Sequence, residues 1–186
     1  MMGNQYIICG ASRSGKSVLA RRLQEKFKVS WILGDAIVSS MEDVFPDLGI
    51  SQLGDLQEIG NRFADYIKFV LWHYAYAGCG YVLDTTHLYP RHIVNMREKI
   101  GNVPVVFLGY AQADPDEKFR QIRSFDPPNW WTSELSDTQL QQLIRGQISK
   151  SIELSEACAE SGLPNVEVGR HFEESIDRAE AILNAK

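Results

Sequence analysis

Apolar residues recur along this chain with two periods, and the alternation between them outlines a fold. Tyr6-Ile7-Ile8-Cys9 is a short unbroken apolar run, which predicts a buried strand over 5–10. Helical spacing follows, with Leu19, Leu23 and Phe27 on one face of a helix over 16–28. Val29 to Leu33 reads as a second strand, ending at Gly34-Asp35. The segment Ala36–Ile50 is mixed, and Pro46 and Gly49 mark turns in it. Ser51 is placed to cap a helix in which Ile59, Phe63, Ile67, Val70 and Tyr74 recur up to Ala77, where Gly78 stops it. Tyr81 to Asp84 is a third strand, Pro90 opens a helix to about Ile100, and Val103 to Tyr110 is a fourth strand. Asp114-Pro115 starts a helix through Arg123, after which regular patterning fails. Ser124 to Leu135 carries Pro127, Pro128, Trp130 and Trp131 and reads as a loop. Ser136 with Gln139 makes a capping box for a long helix ending near Gly162. Asn165 to Val168 is a fifth strand and Glu173 to Asn184 a final helix. Strands alternating with helices call for an α/β fold, a parallel sheet covered on both faces.

Composition narrows the setting. A length of 186 residues supports one well-formed core, so one domain over 1–186 is expected. No apolar run approaches the length of a membrane span, and the N-terminus lacks a signal-peptide pattern. Cys9, Cys79 and Cys158 are widely spaced and form no metal-binding pair, which fits free thiols in a cytoplasmic protein. A net charge of −5 speaks against a nucleic-acid partner.

The chemistry starts at Gly10-Ala11-Ser12-Arg13-Ser14-Gly15-Lys16-Ser17, a full G-x-x-x-x-G-K-[ST] phosphate-binding loop, set between a strand and a helix that begins at Val18. Glycines let the backbone wrap so that N–H groups converge, and the helix N-terminus adds its positive dipole. Lys16, expected as a surface cation before nucleotide binds, is placed to reach the β- and γ-phosphates. The Ser17 hydroxyl is placed to hold Mg²⁺. The chain is therefore expected to bind a nucleoside triphosphate, ATP or GTP, with Mg²⁺.

Five strands in this order with the loop after the first resemble the P-loop small-molecule and nucleotide kinases. That resemblance implies a three-layer α/β/α architecture, a five-stranded sheet ordered 2-3-1-4-5 and a lid, here at about 120–145. It also implies an ATP-dependent transfer of a phosphoryl group to a small acceptor. Tyr81-Val82-Leu83-Asp84 resembles the Walker B pattern, which assigns Asp84 to the Mg²⁺ shell or to substrate, with a cap on the Pro90 helix as the alternative. Asp84-Thr85-Thr86-His87-Leu88 resembles a segment of polynucleotide-kinase-like enzymes. Asp35 stands where shikimate-kinase-like enzymes place the aspartate that contacts the acceptor hydroxyl. Loop capping is the alternative, and Ile37 replaces their second aspartate. By the same resemblance Arg62 is a clamp for an anionic acceptor or a solvated charge. Arg123 and Arg120 are lid arginines that approach the transferring group. Gly169 and Arg170 lie where the adenine is contacted. Trp130 and Trp131 pack the lid or stack on a flat ligand, and the face taken by Arg145 and Lys150 stays open. His73, His87, His92 and His171 lack ligand spacing. Two rivals remain at this point, a nucleic-acid 5′-hydroxyl kinase and a nucleotide-binding switch. The missing Asn-Lys-x-Asp signature disfavours the switch.

Overall fold

A computed structural model describes residues 3–50, 56–128, 130–169 and 171–185. Ser51 and Arg170 lie outside them. Five strands form one parallel sheet: β1 (Gln5–Gly10), β2 (Ser30–Leu33), β3 (Tyr81–Thr85), β4 (Val105–Gly109) and β5 (Asn165–Glu167). Their order is β2-β3-β1-β4-β5, with Ile7 opposite Leu83 on one side and Val105 on the other. The helices are α1 (Lys16–Phe27), α2 (Gly34–Val44), α3 (Leu56–Tyr76), α4 (Pro90–Ile100), α5 (Pro115–Phe125), α6 (Asp137–Ser161) and α7 (Phe172–Asn184). None of the described helices is long and apolar enough to cross a membrane.

Alternation along each strand sorts the core into two layers. Ile7, Leu83 and Phe107 face a cluster with Val38, Phe63, Ile67, Ile93 and Leu154, whereas Ile8, Val82 and Val106 face one with Leu19, Leu23, Ile176 and Leu183. The apolar runs of the central strands are therefore buried on both faces. A third, small cluster of Ile122, Leu140 and Ile144 joins α5 to α6 away from the sheet.

The predicted elements hold with one omission. The segment expected to be mixed begins with a helix, α2, which follows β2 with no intervening loop. Its buried stripe is Val38 and Met41, too short to stand out between exposed or half-buried neighbours. Ser40, a poor helix former, satisfies its hydroxyl on the Ala36 carbonyl at 2.8 Å. Asp35 thus lies in the first turn of a helix rather than at a strand end, where its charge suits the helix dipole. The irregular segment is also shorter than expected, because Ser124 and Phe125 complete α5. The capping box of Ser136 and Gln139 forms as predicted.

Candidate active site

All five strands are parallel, so the loops at their carboxyl ends gather on one edge, the edge where α/β folds bind ligands. The loop after β1 is held in shape by close approach. Gly10 has φ 135°, and a Cβ there would lie 2.0 Å from the Leu108 carbonyl oxygen, so no other residue fits. Three successive carbonyls are occupied by donors. Ala11 accepts from Ser14 Oγ at 2.8 Å and Lys16 Nζ at 2.9 Å, Ser12 from Tyr110 Oη at 2.9 Å, and Arg13 from Lys118 Nζ at 3.0 Å. Gly15, with φ 91°, is the N-cap of α1, which begins at Lys16. Lys16 is buried, not the surface cation expected.

Several of these supports were invisible in the sequence. Lys118 is a buried lysine on α5 with Nζ 4.3 Å from the Tyr110 ring centroid. Burial, then the charge of Arg13, pushes its pKa down to about 8. Arg13 itself forms an ion pair with Asp126, at the end of α5, and Asp126 also accepts from the Thr132 hydroxyl. The amide of Ser12 donates to Gln147 Oε1 on α6 at 2.7 Å.

At the start of α1 the Ser17 hydroxyl donates to Asp84 Oδ2 at 2.7 Å. Asp84 is buried, and burial raises its pKa. Lys16 and the Ser17 hydrogen bond pull it back, and Asp35 pushes it further up. The helix at Pro90 does not use this carboxylate as a cap, because the Tyr89 amide donates to His92 Nδ1 at 2.9 Å instead. A hydroxyl and a carboxylate beside the phosphate loop suit Mg²⁺, a hard cation that takes few protein oxygens and completes its shell with phosphate and water. The described residues contain no cluster of three or more His, Cys, Asp or Glu able to hold a metal, in keeping with such a sparse donor set.

Replacing Asp84 by Asn is expected to raise the half-saturating magnesium concentration about tenfold or more in an ATP turnover assay, as loss of a metal-orienting carboxylate does. The fold should not suffer. A carboxylate with a raised folded-state pKa weakens the fold once it is ionised, so at pH 7 Asn should leave the melting temperature equal or higher. An unchanged magnesium titration would remove Asp84 from the metal role.

Asp35 is brought to the next strand end by Gly34, whose missing side chain lets α2 start against β3. A Cβ on Gly34 would lie 2.6 Å from Thr85 Cβ. Asp35 Oδ1 accepts from the Thr86 amide at 2.9 Å, the Thr86 hydroxyl at 3.1 Å and the Thr85 hydroxyl at 3.2 Å. His87 Nε2 lies 3.5 Å from the same oxygen. His87 is buried, its Nδ1 has no hydrogen-bond partner, and burial lowers its pKa against the opposing pull of Asp35. Asp35 itself is about half exposed on its side chain, at 47%. Asp84 and Thr85 are consecutive, so the end of β3 holds Ser17 with one residue and Asp35 with the next.

The structure therefore brings together the loop Gly10–Val18, Asp84 and Asp35. Arg62 and Arg123 are engaged by partners of their own. Arg62 is exposed and pairs with Glu58 on its own helix at 2.9 Å. Arg123 is spent on its own segment, donating to the Thr132 carbonyl at 3.1 Å and the Leu135 carbonyl at 2.6 Å and pairing with Asp137 at 2.9 Å. Arg120 and Arg145 are exposed on α5 and α6, as are Trp130 and Trp131 in the irregular segment and Gly169 after β5. Lys150, by contrast, points inward from α6 and donates to the Thr86 carbonyl at 2.8 Å.

Residues 3–127 match the family described as chloramphenicol phosphotransferase-like protein. No curated protein matches the chain. Among solved structures, the chain resembles a gluconokinase from Sinorhizobium meliloti 1021, at 19% identity and a TM-score of 0.63, over 98% of this chain and 92% of that one. A sugar kinase from Janibacter sp. HTCC2649 matches at 18% identity and a TM-score of 0.62, over 98% and 95%. A shikimate kinase from Bacteroides thetaiotaomicron matches at 17% and 0.58, over 98% and 99%. At these identities the likeness establishes the fold.

Proposed function

We propose, from the premise that this chain belongs to the chloramphenicol phosphotransferase-like family of P-loop kinases, that it moves the γ-phosphoryl group of ATP to the hydroxyl of a small acceptor with an apolar body. The observation that carries the reading is the end of β3, where Asp84 engages the phosphate loop and Thr85 engages Asp35. Phosphoryl donor and hydroxyl acceptor then meet across one sheet edge. Lys16 and the loop amides would hold the β- and γ-phosphates, and Ser17 and Asp84 would hold Mg²⁺ when it is bound. Asp35, oriented by Thr85 and Thr86, accepts the proton of the attacking hydroxyl. Bound Mg²⁺ supplies neutralisation of the phosphate charge.

The reading of the acceptor class is supported by the surface along α2, the helix whose first turn carries Asp35. Ala36, Ile37, Ser40, Met41, Val44, Phe45 and Tyr66 line a concavity of about 350 Å³ between α2 and α3. A second one of about 430 Å³ shares Met41 and Tyr66 and adds Leu48, Ile50, Arg62 and Asp65. Val44 and Phe45 are 64% and 56% exposed, which leaves apolar surface available to a ligand. Arg62 is the one cation among these lining residues, and Glu58 engages it. An anionic acceptor such as gluconate, shikimate or a nucleoside monophosphate would find little charge to meet it here. Nor would a nucleic acid.

Chloramphenicol, a neutral aromatic alcohol, is the natural first acceptor to assay. Removing about 100 Å² of its apolar surface from water is worth roughly 2.5 kcal/mol, or about sixtyfold. In a coupled ADP-release panel, kcat/KM for neutral aromatic alcohols should exceed that for gluconate, shikimate and nucleoside monophosphates by about that factor or more. Faster turnover of any of the anionic acceptors would defeat the assignment.

A further inference from the structure

Lys150 stands among the core residues of α6, at 6% exposure, between Ile144 and Leu154. An ammonium placed there costs stability that an apolar side chain would not, and burial, then the charge of Lys16, pushes its pKa down to about 8. Asp35 is among the charges that oppose this and keep the proton in place. The Nζ lies 5.5 Å from the Tyr89 ring centroid and donates to the Thr86 carbonyl at 2.8 Å. Thr86 is also the residue whose amide and hydroxyl both donate to Asp35 Oδ1. A single residue thus has its carbonyl fixed by Lys150 and its two donors directed at Asp35.

We propose that Lys150 is a positioning residue, which sets the orientation of the Asp35 carboxylate through Thr86 and ties acceptor activation to α6. The inference rests on the reading of Asp35 as the base for the acceptor. Its neighbours on the same helix face make the tie two-sided. Gln147, three residues earlier, accepts the Ser12 amide of the phosphate loop, and Ser151, one residue later, accepts the Tyr110 amide at 3.1 Å. One rigid helix therefore touches the phosphate loop and the support of Asp35 together. Its first turns, through Leu140 and Ile144, pack on Ile122 of α5. A shift of α6 driven from that end acts on both substrates at once.

The test is a double-mutant cycle on ADP release from MgATP, run with chloramphenicol as acceptor and again with water alone. Lys150→Met should lower kcat about thirtyfold or more, while KM for ATP changes less than about threefold. In an Asp35→Asn background the same change should cost less than about threefold, because its effect passes through the missing carboxylate. Lys150→Gln keeps a donor for the Thr86 carbonyl and should recover most of the lost turnover. Exchange of the Thr86 amide hydrogen should quicken at least about tenfold in Lys150→Met and not in Lys150→Gln. Should Lys150→Met fail to fold, the cycle is run with Lys150→Ala, which has the same expected pattern and leaves no buried charge. Equal losses in both backgrounds, or wild-type turnover without Lys150, overturn the proposal while leaving Asp35 in its role. Wild-type turnover in Asp35→Asn alone removes the reading beneath it.

Discussion

Lys16→Ala is expected to abolish phosphoryl transfer, with a loss of turnover of about a thousandfold or more at saturating ATP, and to leave the fold intact. The catalytic part of the argument is electrostatic. Charge builds on the β–γ bridging oxygen as the phosphoryl group departs, and a fixed cation gains most from it in a site screened from water. Loss of one such contact costs about 3–4 kcal/mol of transition-state stabilisation, or two to three orders of magnitude, and lost alignment of the phosphates adds to it. The structural part needs more care, because Lys16 is buried and donates to the Ala11 carbonyl at 2.9 Å. Deleting a buried partner is harmful when it leaves a polar group without one. Here the Ser14 hydroxyl, at 2.8 Å, still donates to the Ala11 carbonyl. The change also removes a charge from a desolvated position. A melting temperature within a few degrees of wild type is therefore expected, equivalent to about 1 kcal/mol for a chain of this size. Turnover within tenfold of wild type in a protein with normal melting would end the assignment of this loop.

What the sequence disclosed and what it hid divide along a physical line. Elements held by long apolar stripes were legible. Ile7, Ile8, Val82 and Leu83 mark buried strands, and Ile59, Phe63 and Ile67 mark α3. The loop from Gly10 to Gly15 was legible because its backbone geometry demands glycine at both ends. α2 was missed because its buried stripe is only two residues and Ser39-Ser40 interrupts it. The supporting lysines were hidden for a different reason. Lys118 and Lys150 act on main-chain carbonyls of Arg13 and Thr86, and a carbonyl leaves no signature in sequence. A lysine between Glu117 and Phe119, or between Ser149 and Ser151, reads as solvated until packing shows which face is turned inward. Arg123 presents the converse case. Its expected place in the lid comes from the resemblance to P-loop kinases, and in the structure the carbonyls of Thr132 and Leu135 engage it.

Asp35→Asn should lower kcat about a hundredfold or more on every acceptor, and it should do so without raising the magnesium requirement. Asn preserves the shape of the side chain, and its carbonyl oxygen can keep the bonds from the Thr86 amide, the Thr86 hydroxyl and the Thr85 hydroxyl. What disappears is the charge and the basicity, so the variant isolates proton acceptance from positioning, a step worth about 10²–10⁴ in rate where a side chain provides it. ATP affinity should change less than about threefold, since Asn can keep the bonds that Thr85 and Thr86 make to this side chain. The effect on metal has a definite sign. The charge of Asp35 is one of the influences that raise the pKa of Asp84, so its removal favours the ionised form of Asp84. The half-saturating magnesium concentration should fall or hold steady in Asp35→Asn, opposite to its rise in Asp84→Asn. Magnesium titrations of the two variants, read by ADP release, make the comparison. A parallel increase in both would mean that the two carboxylates serve one metal, and the base would have to be sought among other groups. Opposite responses, with turnover lost in Asp35→Asn, leave Asp35 as the group that takes the acceptor's proton.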